Sequence, residues 1–100
     1  MKKFEHETII INKEAWKFMW NFERKLGGFK PCTDAYLNKI WSKMCFRNRG
    51  ANPATHPIAD DEIRLDRDSF RMNIKNLKHT LADNGYEFRQ DGFIAEGFYL

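Results

Sequence analysis

Two cysteines, three prolines and six glycines in 100 residues leave the chain without several familiar frameworks. Cys32 and Cys45 are too few for the disulfide scaffold that small secreted domains depend on, and both read as reduced thiols. Neither belongs to a C-x-x-C pair, and His6, His56 and His79 are scattered, so no metal-ligand spacing is present. No apolar run reaches the roughly 20 residues of a membrane span. Lys2-Lys3 is followed by Glu5, His6 and Glu7 rather than by an apolar stretch, so no signal peptide is read. Internal repeats, low-complexity tracts, a Gly-rich phosphate loop and a nucleophile motif are all missing. Glu14, Glu23 and Asp34 have no evident His or Cys partner for acid–base work. The expectation is a cytoplasmic protein that is not an enzyme, with no catalytic residue, no metal, no cofactor and no membrane partner.

What is present argues for a packed globule. Hydrophobic residues make up 42% of the chain and aromatics 15%, well above the composition of disordered segments. One hundred residues make one domain, 1–100, with a modest core. The net charge of +3 and a pI near 9.0 lean mildly toward anionic partners.

The most informative stretch is Asp68 to Gly85. Phe70, Ile74, Leu77 and Leu81 recur at i, i+4, i+7 and i+11, which places them on one stripe of a helix. Arg71, Lys75 and Lys78 repeat that spacing one step round, and Asn76 and His79 lie further round. Asp68 or Ser69 can cap the start by accepting unpaired backbone N–H groups, and Gly85 can end the helix in a left-handed conformation. The spacing therefore predicts a helix over 69–84 with an apolar face and a basic, amide-rich exposed face. Such a face suits a nucleic-acid groove, and it equally suits water.

After the helix, residues 86–100 alternate apolar and polar around Asp91-Gly92. Asp-Gly between alternating runs predicts a β-hairpin, because Gly accepts the positive φ of the turn. Upstream, Phe4–Ile11 reads as a short β-branched strand whose partner is the C-terminal hairpin. Asn12 caps a helix over 13–26 with Ala15, Phe18, Met19, Phe22 and Leu26 inside and Trp16 and Trp20 widening the face. Gly27-Gly28 ends it. Thr33 caps a second helix over 34–44, with Tyr36, Leu37, Ile40, Trp41 and Met44 as its inner stripe. Residues 45–68 form a long loop rich in turn formers, with Ile63-Arg-Leu65 as a short strand.

Strand, helix, helix, loop, helix and hairpin form the layout of a winged helix. In that order the chain resembles the winged helix-turn-helix DNA-binding domain of OmpR/PhoB-type response regulators. The resemblance rests on Ile11-Asn-Lys-Glu-Ala-Trp-Lys-Phe-Met19, on Gly28 to Trp41, on Ser69 to Leu81 and on the closing Gly97-Phe-Tyr-Leu100. It implies an α+β winged helix-turn-helix with three helices, a C-terminal β-hairpin wing and a short N-terminal strand, standing alone without a receiver domain. It also implies that Ser69 and Asn73 contact phosphates, that Arg71, Met72 and Asn76 face base edges, and that Lys75 and Lys78 neutralise phosphates. Asn pairs with adenine and Arg with guanine through two hydrogen bonds each, which makes this chemistry sound. The family's Arg before the recognition helix falls on Asp68, with Arg67 adjacent. The wing positions fall on the uncharged Gly92 and Ile94, which leaves Arg89 as the hairpin's only cation.

The functional expectation is a sequence-specific duplex-DNA-binding regulator of transcription, associated with the nucleoid and dimeric on repeated half-sites. The alternative is an adaptor or inhibitor that grips a protein partner through the 45–68 loop and exposed aromatics. One fold hosts both kinds of function.

Overall fold

Ile9, Ile10 and Ile11 are almost completely buried, and the molecule is built around them. Successive residues of a strand point to opposite faces, so three buried isoleucines in a row require cover on both sides. The computed structural model describes residues 2–6, 8–44, 58–65, 70–90 and 95–99, the first and last of these stretches as backbone. The isoleucines lie on β2 (Ile9–Asn12), the middle strand of an antiparallel sheet with β3 (Glu62–Leu65) on one side and β4 (Arg89–Gln90) on the other. Ile9 sits opposite Leu65 and Ile11 opposite Ile63, so these four side chains share the face that meets the helices. Ile10 faces the other way, opposite Arg64 and Arg89.

Asn12 ends β2 and begins α1 (Lys13–Leu26), its side-chain oxygen accepting from the Ala15 N–H at 2.8 Å. Ala15, Trp16 and Met19 form the inner face of α1, with Phe18, Trp20 and Phe22 half-buried beside them. The helix closes in a Schellman motif. Phe29 N–H donates to Arg24 C=O and Gly28 N–H to Lys25 C=O, with Gly28 at φ +80°. Thr33 caps α2 (Asp34–Lys43) by accepting from the Tyr36 N–H. Leu37 and Trp41 are buried, and Trp16 meets Trp41 edge-on with ring centroids 5.1 Å apart. The turn between the helices is pinned twice. Asn21 donates to Cys32 C=O and accepts from Cys32 N–H, and the Lys17 ammonium donates to the Asp34 carboxylate at 2.7 Å. That contact raises the Lys17 pKa and lowers that of Asp34.

Both expected N-terminal helices are present, but two ends of their apolar stripes are not inside. Leu26 is 68% exposed and Tyr36 is 53% exposed. The periodicity continues one turn beyond the area that the sheet and the other helices can cover.

The third helix, α3 (Ile74–Asp83), is shorter than the spacing predicts. Ile74, Leu77 and Leu81 are buried as expected. Its cap is Asn73, not Asp68 or Ser69: the Asn73 side-chain oxygen accepts from the Asn76 N–H at 2.8 Å. Phe70 and Arg71 are both left-handed, at φ +53° and +57°, which no helix accommodates. Phe70 still packs against the core, from the turn that leads into the helix. At the other end Tyr86 N–H donates to Leu81 C=O and Gly85 N–H to Ala82 C=O, a second Schellman motif with Gly85 at φ +79°.

The C-terminal strands correct a further expectation. β4 pairs with β2, and β5 (Ala95–Tyr99) pairs with β1 (Lys2–His6), with Lys2 opposite Tyr99 and His6 opposite Ala95. Among the described residues β4 and β5 therefore pair with the N-terminal strands rather than with each other as a hairpin. The N-terminal strands do find their partner in the C-terminal segment, as expected. The predicted Asp91-Gly92 turn lies outside the described residues, as do 45–57 and 66–69 of the long loop. β3, within that loop, covers the predicted Ile63–Leu65 strand and places thirty residues (44–73) between α2 and α3. The architecture is thus α+β: three helices against a small three-stranded antiparallel sheet, an arrangement compatible with a winged helix.

Candidate nucleic-acid interface

The outward face of α3 follows from its inward one. With Ile74, Leu77 and Leu81 turned to the core, Lys75, Asn76 and His79 are exposed and Lys78 is half-buried. The first turn holds no carboxylate, and the only acidic residue of the helix is Asp83, its last. The partial positive charge of the helix N-terminus is therefore reinforced by Lys75 and Lys78 instead of being cancelled. The Asn76 backbone is fully used within the helix. Its N–H goes to the Asn73 cap and its C=O accepts from the Thr80 hydroxyl at 2.9 Å, so its side-chain amide is what faces solvent.

The other candidates are placed differently. Arg71 precedes the helix, and its Nε lies 3.2 Å from Glu23 Oε1 of α1 with the side chain as a whole 85% exposed. Met72 is half-buried against the core, with the Thr80 hydroxyl 3.9 Å from its sulfur, and does not project toward a groove. Asn73 is exposed, but its side-chain oxygen is committed to capping. Arg89 is held by Glu62, donating from Nε to Oε2 at 3.2 Å and from Nη2 to Oε1 at 3.0 Å. Ser69 and Arg67 lie outside the described residues. Of the nine residues considered, the structure gathers Lys75, Asn76 and Lys78 on one helix and sets Arg71, Met72, Asn73 and Arg89 in structural contacts.

A residue that the sequence reading gave no part in a site is Glu23. Together with Trp20, Arg24, Gly27, Phe29 and Arg71 it lines a cleft of about 260 Å³ at the end of α1. Its only signal in the sequence is its place beside the basic and aromatic run Arg24–Lys30. Phe29 is 64% exposed, whereas Trp16 and Trp41 are buried and Trp20 is half-buried. The exposed aromatics of the adaptor reading therefore reduce, for the described side chains, mainly to Phe29 and Tyr36. Among the described residues no group of three His, Cys, Asp or Glu side chains is arranged to hold a metal ion. No helix there is long and apolar enough to cross a membrane.

No family model, curated protein or solved structure matches the chain. The likeness to OmpR/PhoB domains rests on the motif residues alone.

Proposed function

We propose that the chain binds duplex DNA through the outward face of α3 and acts as a transcriptional regulator. The observation that carries this reading is the burial pattern of α3. It turns three aliphatic side chains inward and presents Lys75, Asn76 and His79 outward, at a helix end with no carboxylate in its first turn. Lys75 and Lys78 supply phosphate neutralisation, and the Asn76 amide is the group able to read a base edge. The reading face is narrower than the family resemblance implies, because it begins after Asn73. The Arg89–Glu62 pair leaves the wing region little part in binding.

The test is a salt titration of binding to random duplex DNA. Each neutralised phosphate releases a counterion, so affinity should fall linearly on a log–log plot against salt. Lys75→Ala should shallow that slope by roughly one unit, and Lys75→Ala with Lys78→Ala by up to roughly two. Absence of duplex binding at low salt rejects the reading.

A further inference from the structure

The cleft at the end of α1 lies outside the α3 face, and its composition is not that of a solvated surface. Trp20 and Phe29 line it together with Arg24, Glu23 and Arg71, the last two in contact at 3.2 Å. The Arg24 guanidinium lies 5.5 Å from the Phe29 ring centroid and its Nε donates to Lys30 C=O at 2.7 Å, which fixes both. Asn21 clamps Cys32 just beyond, so the turn is held before any ligand arrives. Arg71 is brought there by two successive left-handed residues, a conformation uncommon for any side chain larger than glycine and often kept at binding sites. The charged residues that line the cleft are Arg24 and Arg71 against the single carboxylate of Glu23, and Phe29 is about two-thirds exposed.

We propose that this cleft docks an acidic peptide segment carrying one bulky apolar side chain. At about 260 Å³ the cleft lies just below the roughly 300–1,000 Å³ typical of sites for drug-sized ligands and has room for one bulky side chain. Charge sets the flanks: Arg24 and Arg71, with Glu23 in contact with Arg71 as the one opposing carboxylate, leave the lining net positive toward carboxylates on either side of that side chain. The chain's own Asp60-Asp-Glu-Ile63 has this composition, but Ile63 is buried and Glu62 is paired with Arg89, so a second copy cannot supply it while folded. The occupant is a segment of another protein. The site does not depend on DNA binding by α3 and stands or falls separately.

The test is a titration of the ¹⁵N-labelled full chain with a short synthetic peptide of one phenylalanine flanked by aspartates. The Trp20 indole and Gly27 amide signals should move and saturate, and the response should vanish when the phenylalanine is replaced by serine or the aspartates by lysine. Two variants probe opposite sides of the cleft. Arg71→Ala removes an exposed guanidinium. Gly27→Ala is allowed by the glycine's φ of −84° and sets a methyl 3.1 Å from the Phe29 ring, on the cleft wall. Each should weaken binding about tenfold or more. Unmoved cleft signals overturn the proposal, as does an equal response to the serine peptide. So does a response to single-stranded oligothymidylate and not to the acidic peptide, which would make the cleft a nucleotide-stacking site.

Discussion

Arg89 on β4 and Glu62 on β3 pair across the strand that separates them, with contacts of 3.2 and 3.0 Å to the two carboxylate oxygens. Neighbouring strands lie about 4.8 Å apart, so the two side chains span roughly twice that over β2. Ile10 and Asn12 share a shallow cleft with them on that face. The Glu62 carboxylate also accepts the Ala59 N–H at 2.9 Å, which ties the entry to β3 into the same contact. The only cation expected in the wing is therefore part of the sheet's stability.

The pair makes acid sensitivity the first prediction. The hydrogen bonds from Arg89, helped by the Ala59 N–H, hold the Glu62 carboxyl below its ordinary value of 4.5 against the opposing effect of burial. A group whose folded pKa is depressed contributes stability that is complete above the ordinary value and is lost as pH falls through the folded one. Denaturant melts between pH 7 and pH 3 should show the wild type losing more stability below about pH 4.5 than Glu62→Gln does. At neutral pH Arg89→Ala should cost about 1 kcal/mol or less, because half of the arginine side chain is in water. Equal acid losses in wild type and Glu62→Gln would show that the pair contributes nothing to the pH dependence.

The start of α3 gives a prediction with opposite signs for two readings. Asn73 caps the helix with its side-chain oxygen, so Asn73→Ala should destabilise by about 1 kcal/mol, within a range of roughly 0.5–2. Were the helix to begin at Ser69, Asn73 would be an exposed interior position, where alanine is the better helix former and the change would stabilise by a few tenths of a kcal/mol. A thermal or denaturant melt decides between them.

That contrast shows what local sequence can carry. The caps Asn12 and Thr33 each directly adjoin a periodic run, Thr33 with only the neighbouring Asp34 as a rival, and α1 and α2 begin where those residues say. At α3 three cap-forming residues, Asp68, Ser69 and Asn73, compete, and Phe70 happens to continue the i+4 spacing. Nothing local announces that Phe70 and Arg71 turn left-handed. The Asp91-Gly92 signal is local too, whereas the partners of β4 and β5 lie some eighty or more residues away at the N-terminus. The β-branched run Thr8–Ile11 shows a buried strand, but its sequence does not say which segments flank it. Of the candidate site, the outward residues of a helix are readable once its inward stripe is known. The cleft joins Trp20 on α1 to Arg71 about fifty residues on, and no periodicity reports such a meeting.

Leu77 is fully buried at the middle of the α3 stripe. Leu77→Ala removes its side chain from a site lined by the sheet and helices and should cost roughly 2–5 kcal/mol. A loss under about 0.5 kcal/mol in denaturant melts would place Leu77 at the surface and invalidate the helix phase on which the proposed DNA-binding face depends.

The final prediction concerns specificity. Asn76 is exposed on the face opposite the buried stripe, and its side-chain amide is left to solvent while its backbone groups serve the helix. An amide donates to and accepts from adenine at once, a pairing worth roughly 1–3 kcal/mol of discrimination. Asn76→Ala should therefore relax preference at one base pair of the bound site. It should not weaken the fold, because alanine has the higher helix propensity and no core contact is lost. Arg89→Ala, whose partner is Glu62, should leave the preferred sequence unchanged. Selection from randomised duplexes with the wild type and both variants measures this directly, with a melt of each variant to separate stability from recognition. An unchanged motif for Asn76→Ala, with a collapsed one for folded Arg89→Ala, would move sequence reading from α3 to the β4 region.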